Sequence, residues 1–170
     1  EMYKGKHVKF SSPAMAWGKE REPEALAAFQ KLTAPDLHTV PVGMVRHFKY
    51  DWLAASLDGV AVTDKKIINV EFKCPWRAKM PRHVDEVRLT YVIQCQIQML
   101  CFGPQETILF YYHPELGTAG FHLEADEEIQ TLLVELCIKF REAVETDATF
   151  QDDSLWKQKL KPLLVDYFDS

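Results

Sequence analysis

Short apolar runs separated by turn residues predict a series of strands in the middle of the chain. The predicted strands are Val40–Val45, Trp52–Ser56, Val60–Thr63, Ile67–Phe72, Thr107–Tyr112 and Gly120–Leu123. Asp58-Gly59 and Asp64-Lys65-Lys66 lie between consecutive runs and are typical of turns. The pattern therefore predicts a β-sheet with several short connections.

Apolar residues at helical spacing predict helices on both sides of these strands. Ser12-Pro13 is a typical start for a helix that runs to about Leu32, and Pro23 predicts either a kink or a second helix there. Residues 82–102 predict a long helix whose apolar stripe is Val92, Cys95, Met99 and Phe102. Residues 126–146 and 152–168 predict two further helices. This order predicts an α/β or α+β fold with a central mixed sheet flanked by helices.

Length and composition indicate an ordinary globular domain. The chain has 170 residues, of which 47% are hydrophobic and 26% are charged, and no linker or repeat divides it. These values exclude a disordered chain and a disulfide scaffold. We find no apolar stretch near the ~20 residues of a membrane span and no apolar segment of a signal peptide at the start, so we expect an intracellular protein. The four cysteines lack metal-ligand spacing and are predicted to be reduced thiols.

Charge is distributed unevenly along the chain. The net charge of −5 argues against a general polyanion binder, and the acidic excess lies in residues 124–170. By contrast, the stretch that follows the fourth predicted strand carries an excess of basic residues: Lys73, Arg77, Lys79, Arg82 and Arg88. This stretch could contact phosphate groups, and a solvated charged loop is the alternative. Trp76 within it is predicted to be a core residue, and packing on a sugar or base of a nucleic acid is the alternative.

One group of charged residues suggests metal chemistry. In a strand over residues 69–73, Glu71 and Lys73 project from the same face. If the predicted strands 60–63 and 67–73 form a hairpin, Asp58 lies beside Glu71 and Lys73. Two carboxylates next to a lysine suit Mg²⁺, which binds carboxylate oxygens and shares ligands with substrate phosphates. The alternatives are an exposed ion pair for Glu71 and Lys73, and a plain turn for Asp58-Gly59.

Four segments then occur in a specific order and spacing. They are Trp17–Glu22 (WGKERE), Leu53–Gly59 (LAASLDG), Val70–Trp76 (VEFKCPW) and Tyr91–Gln96 (YVIQCQ). Together they resemble the lambda-exonuclease-like or YqaJ viral recombinase family of the PD-(D/E)xK nucleases, over roughly residues 13 to 123. Leu57 replaces the proline that is usual in this family. The resemblance implies a single nuclease domain with a restriction-endonuclease-like core, followed by acidic C-terminal helices over 124–170.

The resemblance also implies a role for each matched residue. The implied metal ligands are Asp58, Glu71, the backbone carbonyl of Phe72 and Glu22. Lys73 would activate the attacking water, and Gln94 would hold that water or a phosphate oxygen. Tyr91, Gln94 and Gln98 lie on one helical face at spacings of three and seven residues. The implied DNA contacts are Arg77, Lys79, Arg82, Arg88, Ser56 and Tyr91.

The resemblance implies a Mg²⁺-dependent exonuclease that degrades linear double-stranded DNA from 5′ to 3′. Two ions are expected, and Mn²⁺ is expected to substitute for Mg²⁺. The family implies a single-strand-annealing recombinase as a partner and a homotrimer as an assembly. Members usually have helices before the first matched segment, whereas 16 residues precede Trp17. Two alternatives therefore stay open: a structure-specific or single-strand endonuclease, and a non-catalytic domain that binds DNA ends.

Overall fold

The computed structural model describes residues 12–33, 37–77 and 80–148, together with the backbone of residues 164–166. Within these residues the helices are α1 (Pro13–Thr33), α2 (Leu89–Phe102) and α3 (Glu127–Thr146), and Val84–Glu86 forms a 3₁₀ turn. The strands are β1 (His38–Arg46), β2 (Ala54–Val62), β3 (Ile67–Lys73), β4 (Glu106–His113), β5 (Gly117–Glu124) and β6 (Leu164–Asp166). None of these helices is long and apolar enough to cross a bilayer.

The described strands form one mixed sheet in the order β1-β2-β3-β4-β5-β6. Neighbouring strands are antiparallel except β3 and β4, which pair in parallel with Glu71 beside Leu109. Parallel neighbours need a crossover connection, and α2 lies within it. The predicted α/β (α+β mixed) architecture, a central mixed sheet flanked by helices, is confirmed.

Helices cover both faces of the sheet, and the two-residue period of β3 divides its side chains between them. On one face, Phe29 of α1 packs against Val70, Phe72 and Phe110. On the other, α2 and α3 form a second apolar cluster around Met99 and Leu109. Asn69 and Glu71 of β3 point toward this second face and are almost completely buried. Burial of a carboxylate in such a position requires partners that satisfy its charge.

The helix boundaries differ from the prediction at two places. Helix α1 continues through Pro23 as one element, so a second helix does not begin there. The helix predicted from Arg82 was wrong over its first two turns, because α2 begins only at Leu89. The carboxylate of Glu86 accepts the backbone N–H of Arg82 at 2.6 Å, and this local contact favours a 3₁₀ turn over a continuous helix.

The predicted turn at Asp58-Gly59 was also wrong. Both residues lie inside β2, which joins the two runs that were predicted as separate strands. A Cβ atom on Gly59 would lie 3.1 Å from the carbonyl oxygen of Val40, so the glycine allows β1 to approach closely. Glycine in a strand can mark such a close approach, and here it does not mark a turn.

Three further predictions concern packing and the C-terminal region. Phe102 is 36% exposed and does not belong to the buried stripe of Val92, Cys95 and Met99. The predicted helix over 152–168 was wrong at Leu164–Asp166, which form a strand paired with β5, and the rest of it lies outside the described residues. The cysteines form no disulfide; Cys95 and Cys101 are buried, and Cys74 and Cys137 are half-buried.

Candidate active site

The site begins where β2 separates from β3. The last residue pair of their ladder is Gly59 and Val70, so Asp58 and Glu71 follow as the next facing positions. The backbone N–H of Phe72 donates to Asp58 Oδ2 at 2.8 Å. A side-chain carboxylate thus replaces the backbone acceptor at this point of the ladder. The predicted proximity of Asp58 and Glu71 is confirmed, although Asp58 lies in a strand.

Glu71 is held by donors from two elements. Its side chain is 2% exposed and forms an ion pair with Lys73. Gln94 of α2 donates to Glu71 Oε1 at 2.6 Å, and Gln98, one turn further along α2, donates to Oε2 at 2.5 Å. Both carboxylate oxygens therefore have partners, which explains how a buried carboxylate is tolerated here. The alternative of an exposed ion pair is excluded by this burial.

Lys73 lies between the strand and α2. Its side chain is 17% exposed, and its ammonium group donates to Gln94 Oε1 at 3.0 Å. The same ammonium lies 4.6 Å from the centroid of the Tyr91 ring, a cation–π distance. Three contacts, to Glu71, Gln94 and Tyr91, thus fix the orientation of the lysine. The predicted common face of Tyr91, Gln94 and Gln98 is confirmed.

Asp58 lies in an environment with excess negative charge. Burial, the charge of Glu71 and, to a smaller extent, the charge of Glu22 together raise the pKa of Asp58 to about 7, against the opposing effects of the Phe72 N–H and Lys73. The single lysine is therefore insufficient to offset the carboxylates around it. Acids whose negative charge is not fully compensated are suited to bind an additional cation.

A cavity of about 340 Å³ joins the predicted residues. Glu22 of α1 reaches it from one side, and Asp58, Glu71 and Lys73 line it from the sheet. A neighbouring cavity of about 440 Å³ shares Met15, Cys74, Pro75, Tyr91 and Tyr111 with the first. The second cavity adds the basic side chains of Arg77 and Arg88. The two cavities together form a cleft that has Glu22, Asp58 and Glu71 at one end and, at the other, the two arginines together with Glu86.

The donor set fits a hard cation with few protein ligands. Asp58 and Glu71 offer carboxylate oxygens beside the cavity, and Mg²⁺ commonly takes one or two carboxylates and completes its shell with water and phosphate oxygens. In the described ranges, no three Asp, Glu, His or Cys side chains converge as a ligand cluster, so Glu22 lines the cavity without joining the other two. This arrangement suits one ion directly, and the second ion stays a prediction.

Of the predicted DNA contacts, Arg77, Arg88 and Tyr91 line this cleft, whereas Arg82 and Ser56 line neither of its cavities. Arg77 lies over the Trp76 ring at 4.3 Å, and Trp76 is 37% exposed, so the prediction of Trp76 as a core residue was wrong. Arg88 is the exposed residue before α2, and Arg82 is also exposed. Ser56 is exposed, and its backbone carbonyl accepts Gln98 Nε2 at 2.8 Å. Lys79 lies outside the described residues.

Gln98, which the sequence placed on the face of Tyr91 and Gln94 without a role, is a donor to the Glu71 carboxylate. It is 1% exposed and accepts Asn69 Nδ2 at 2.9 Å in addition to its contacts with Glu71 and Ser56. Its only signal is its position four residues after Gln94, on the same helical face. Gln96, by contrast, accepts the backbone N–H of Asp126 at 3.1 Å and connects α2 to the start of α3. Gln96 is therefore structural.

Comparisons with known proteins agree with this geometry. The YqaJ-like viral recombinase domain matches residues 1–105. The crystal structure of an alkaline exonuclease (LHK-Exo) from Laribacter hongkongensis has a TM-score of 0.68 at 23% identity, covering 82% of this chain and 73% of that chain. The complex of LHK-Exo with dAMP has a TM-score of 0.60 at 24% identity, covering 91% and 71%. These identities support a shared fold. No curated protein sequence matches significantly.

Proposed function

We propose that this chain, which belongs to the YqaJ-like viral recombinase domain family, is a Mg²⁺-dependent exonuclease that degrades linear double-stranded DNA from 5′ to 3′. The family and the shared fold support a nuclease. The observation that carries the finer proposal is the convergence of Asp58, Glu71 and Lys73 at the start of a cleft that continues to Arg77 and Arg88. Acids, a lysine and arginines in this order match the needs of phosphodiester hydrolysis.

In this proposal Asp58 and Glu71 hold the metal, with the backbone carbonyl of Phe72 and the side chain of Glu22 as further ligands. When bound, Mg²⁺ neutralises charge on the phosphoryl oxygens and lowers the pKa of a bound water, and Mn²⁺ would substitute. The raised pKa of Asp58 supports this assignment, because a cation would relieve the repulsion that Glu71 and Glu22 impose on it. Glu22 lines the same cavity as Asp58 and Glu71 and would contribute to a second ion.

Lys73 and Gln94 position the attacking water. The Lys73 ammonium is held beside Glu71 by Gln94 and by the ring of Tyr91, so its remaining N–H is oriented rather than free to rotate. A fixed cation at this place favours hydroxide over water and orients it toward the phosphorus atom. Gln94 bonds both Lys73 and Glu71 and therefore couples the two groups.

The DNA backbone would lie along the cleft toward Arg77 and Arg88, with Arg82, Lys79, Ser56 and Tyr91 as the remaining contacts. Arginine is suited to bidentate contacts with phosphate oxygens. Metal loading would add positive charge to a site in which the acids otherwise dominate. We therefore expect weak DNA binding in EDTA and tighter binding with Ca²⁺, whereas equal affinity under both conditions would contradict this part of the proposal.

A digestion time course tests the proposal. Linear duplex DNA labelled at the 5′ or the 3′ end, together with a circular duplex, is incubated in Mg²⁺ and in EDTA. Release of mononucleotides from the 5′ ends in Mg²⁺ alone, with the circle intact, supports the proposal. Cutting of the circle would favour a structure-specific or single-strand endonuclease. No cutting of either DNA would favour a domain that binds DNA ends without catalysis.

The partners proposed with this function are a single-strand-annealing recombinase and two further copies of the chain in a homotrimer. A 5′→3′ exonuclease leaves a 3′ single strand, which is the substrate of an annealing protein. Co-sedimentation with such a recombinase and light scattering of the purified chain would test these two assemblies separately.

A further inference from the structure

Residues 47–53 connect β1 to β2 and include Phe48. Among the large hydrophobic side chains that the structure describes, Phe48 is the most exposed. Phe48 is 94% exposed. A phenylalanine offers an apolar surface of about 150–250 Å², so its full exposure to water is unfavourable unless a partner covers it. We refer to residues 47–53 as the β1–β2 loop.

Hydrogen bonds fix the backbone of this loop. The imidazole of His47, which is buried, accepts the backbone N–H groups of Lys49 and Tyr50 through Nδ1, at 3.0 and 3.1 Å. The backbone N–H of His47 donates to the carbonyl of Leu53, and that of Leu53 donates to Tyr50, both at 2.9 Å. The conformation that exposes Phe48 is therefore built into the fold.

Rings and cations alternate on the loop surface. The Phe48 ring stacks on His47 with centroids 4.8 Å apart and planes inclined by 21°, so its opposite face is open. Arg46 is exposed just before the loop, and the ammonium of Lys49 lies 5.2 Å from the Tyr50 ring. Asp51 is the one acidic residue of the loop. An open ring face with flanking cations matches a nucleobase with its phosphates.

The loop extends from the end of the sheet that carries the candidate active site. Arg46 pairs with Ala54, and β2 then runs from Ala54 to Asp58. Four residues of strand span about 13 Å, so the loop begins about 13 Å from Asp58, a distance that a few nucleotides of a single strand can bridge.

We propose that the β1–β2 loop binds a single DNA strand, with Phe48 stacked on an unpaired base and Arg46 and Lys49 in contact with its phosphates. This inference rests on the proposed function, because DNA is taken as the substrate. Unpaired bases are specified since a paired base within a duplex has no free face for the ring. A second copy of the chain could also cover Phe48, but the flanking cations favour a polyanion.

The test compares variants of Phe48 in the full chain. The probe is a fluorescein-labelled 12-nucleotide oligothymidine, and a blunt duplex of the same length is the comparison, both in Ca²⁺. We expect Phe48→Ala and Phe48→Leu to weaken oligothymidine binding roughly 5- to 150-fold and to change duplex binding less than twofold, because stacking on unpaired bases is lost. Phe48→Trp should bind like the parent chain. Met44→Ala is the matched control, because Met44 is another exposed apolar residue and lies in β1. It should bind both DNAs with the affinity of the parent chain.

The outcomes separate this inference from the proposed function. Binding by Phe48→Leu at the parent level, equal losses on both DNAs, or no loss in Phe48→Ala would overturn it. A smaller sedimentation coefficient for Phe48→Ala would assign the surface to contacts between copies and would also overturn it. If the parent chain cuts DNA while the Phe48 variants bind normally, only this inference fails. If the parent chain binds oligothymidine through Phe48 but cuts no DNA, only the proposed function fails.

Discussion

Asp58 accepts the backbone N–H of Phe72 at 2.8 Å at the position where β2 and β3 stop pairing with each other. This hydrogen bond holds the Asp58 carboxylate beside Glu71 even though burial and the Glu71 charge raise the pKa of Asp58. The strand geometry therefore keeps together two acids that repel each other. A site of this kind is less stable without a cation than with one.

Asp58→Asn tests this repulsion. A raised carboxyl pKa means that stability falls as pH rises between about 4 and 7, where the unfolded chain is ionised and the folded chain keeps the proton. At pH 8 and without metal, we expect Asp58→Asn to increase the free energy of unfolding by about 1 kcal/mol or more, since one pKa unit corresponds to ~1.4 kcal/mol. Urea unfolding at pH 8 and at pH 4 measures this change.

The pH 4 measurement serves as the control, because the parent carboxyl is protonated there and the two chains should differ little. Addition of Mg²⁺ at pH 8 should stabilise the parent chain and leave Asp58→Asn nearly unchanged. A variant that is less stable than the parent at pH 8 would show that the hydrogen bond from Phe72 outweighs the repulsion.

Lys73→Ala separates catalysis from binding. We expect the single-turnover cleavage rate to fall by about 10³-fold or more, because the group that orients the water is lost, while duplex affinity in Ca²⁺ changes little. Some stability is also lost, since Glu71 then keeps only its two glutamine donors. Quenched-flow digestion and circular dichroism measure the two effects. The control is Lys65→Ala in the exposed β2–β3 turn, and a normal rate in Lys73→Ala would reject the proposed role.

The two glutamines that bind Glu71 should differ in their effects. Gln98 is 1% exposed, so Gln98→Leu removes the amide donor of the buried Glu71 Oε2 and leaves Asn69 Nδ2 with Thr107 alone as acceptor, and it should cost about 2–3 kcal/mol of stability. Gln94 is half-buried at the cavity and bonds Lys73, so Gln94→Leu should reduce the cleavage rate more than the stability. Equal effects of the two substitutions in thermal unfolding and in digestion would contradict this division.

Arg77 and Arg88 should appear in the salt dependence of DNA binding. Each phosphate contact contributes about 0.9 to the slope of log K against log salt for duplex DNA. We expect Arg77→Gln and Arg88→Gln each to reduce the slope by about that amount. Lys31→Gln is the control, because Lys31 lies in the last turn of α1, far along the helix from the residues that line the cleft. A slope that is unchanged in both arginine variants would place the DNA elsewhere.

The sequence predicted the site better than it predicted the local backbone. Asp58 was expected in a turn and lies in a strand, but its approach to Glu71 depends only on the antiparallel pairing of β2 with β3, which the hairpin prediction contained. The contact of Gln98 with Glu71 was not predicted, because a buried glutamine and a solvent-facing one have the same pattern in a helix. The start of α2 was misplaced because Glu86 bonds the backbone of Arg82, a contact that periodicity does not report.

The short strand Leu164–Asp166 lies beside Phe121–Leu123 of β5. Its pairing covers backbone N–H and C=O groups that would otherwise be available to another polypeptide. A shortened chain that stops after Ala148 would present an uncovered edge strand. Such edges recruit other chains into intermolecular sheets, so this truncation would favour aggregation even if the active-site geometry were preserved. Fusion partners and truncations are therefore better designed to retain Leu164–Asp166.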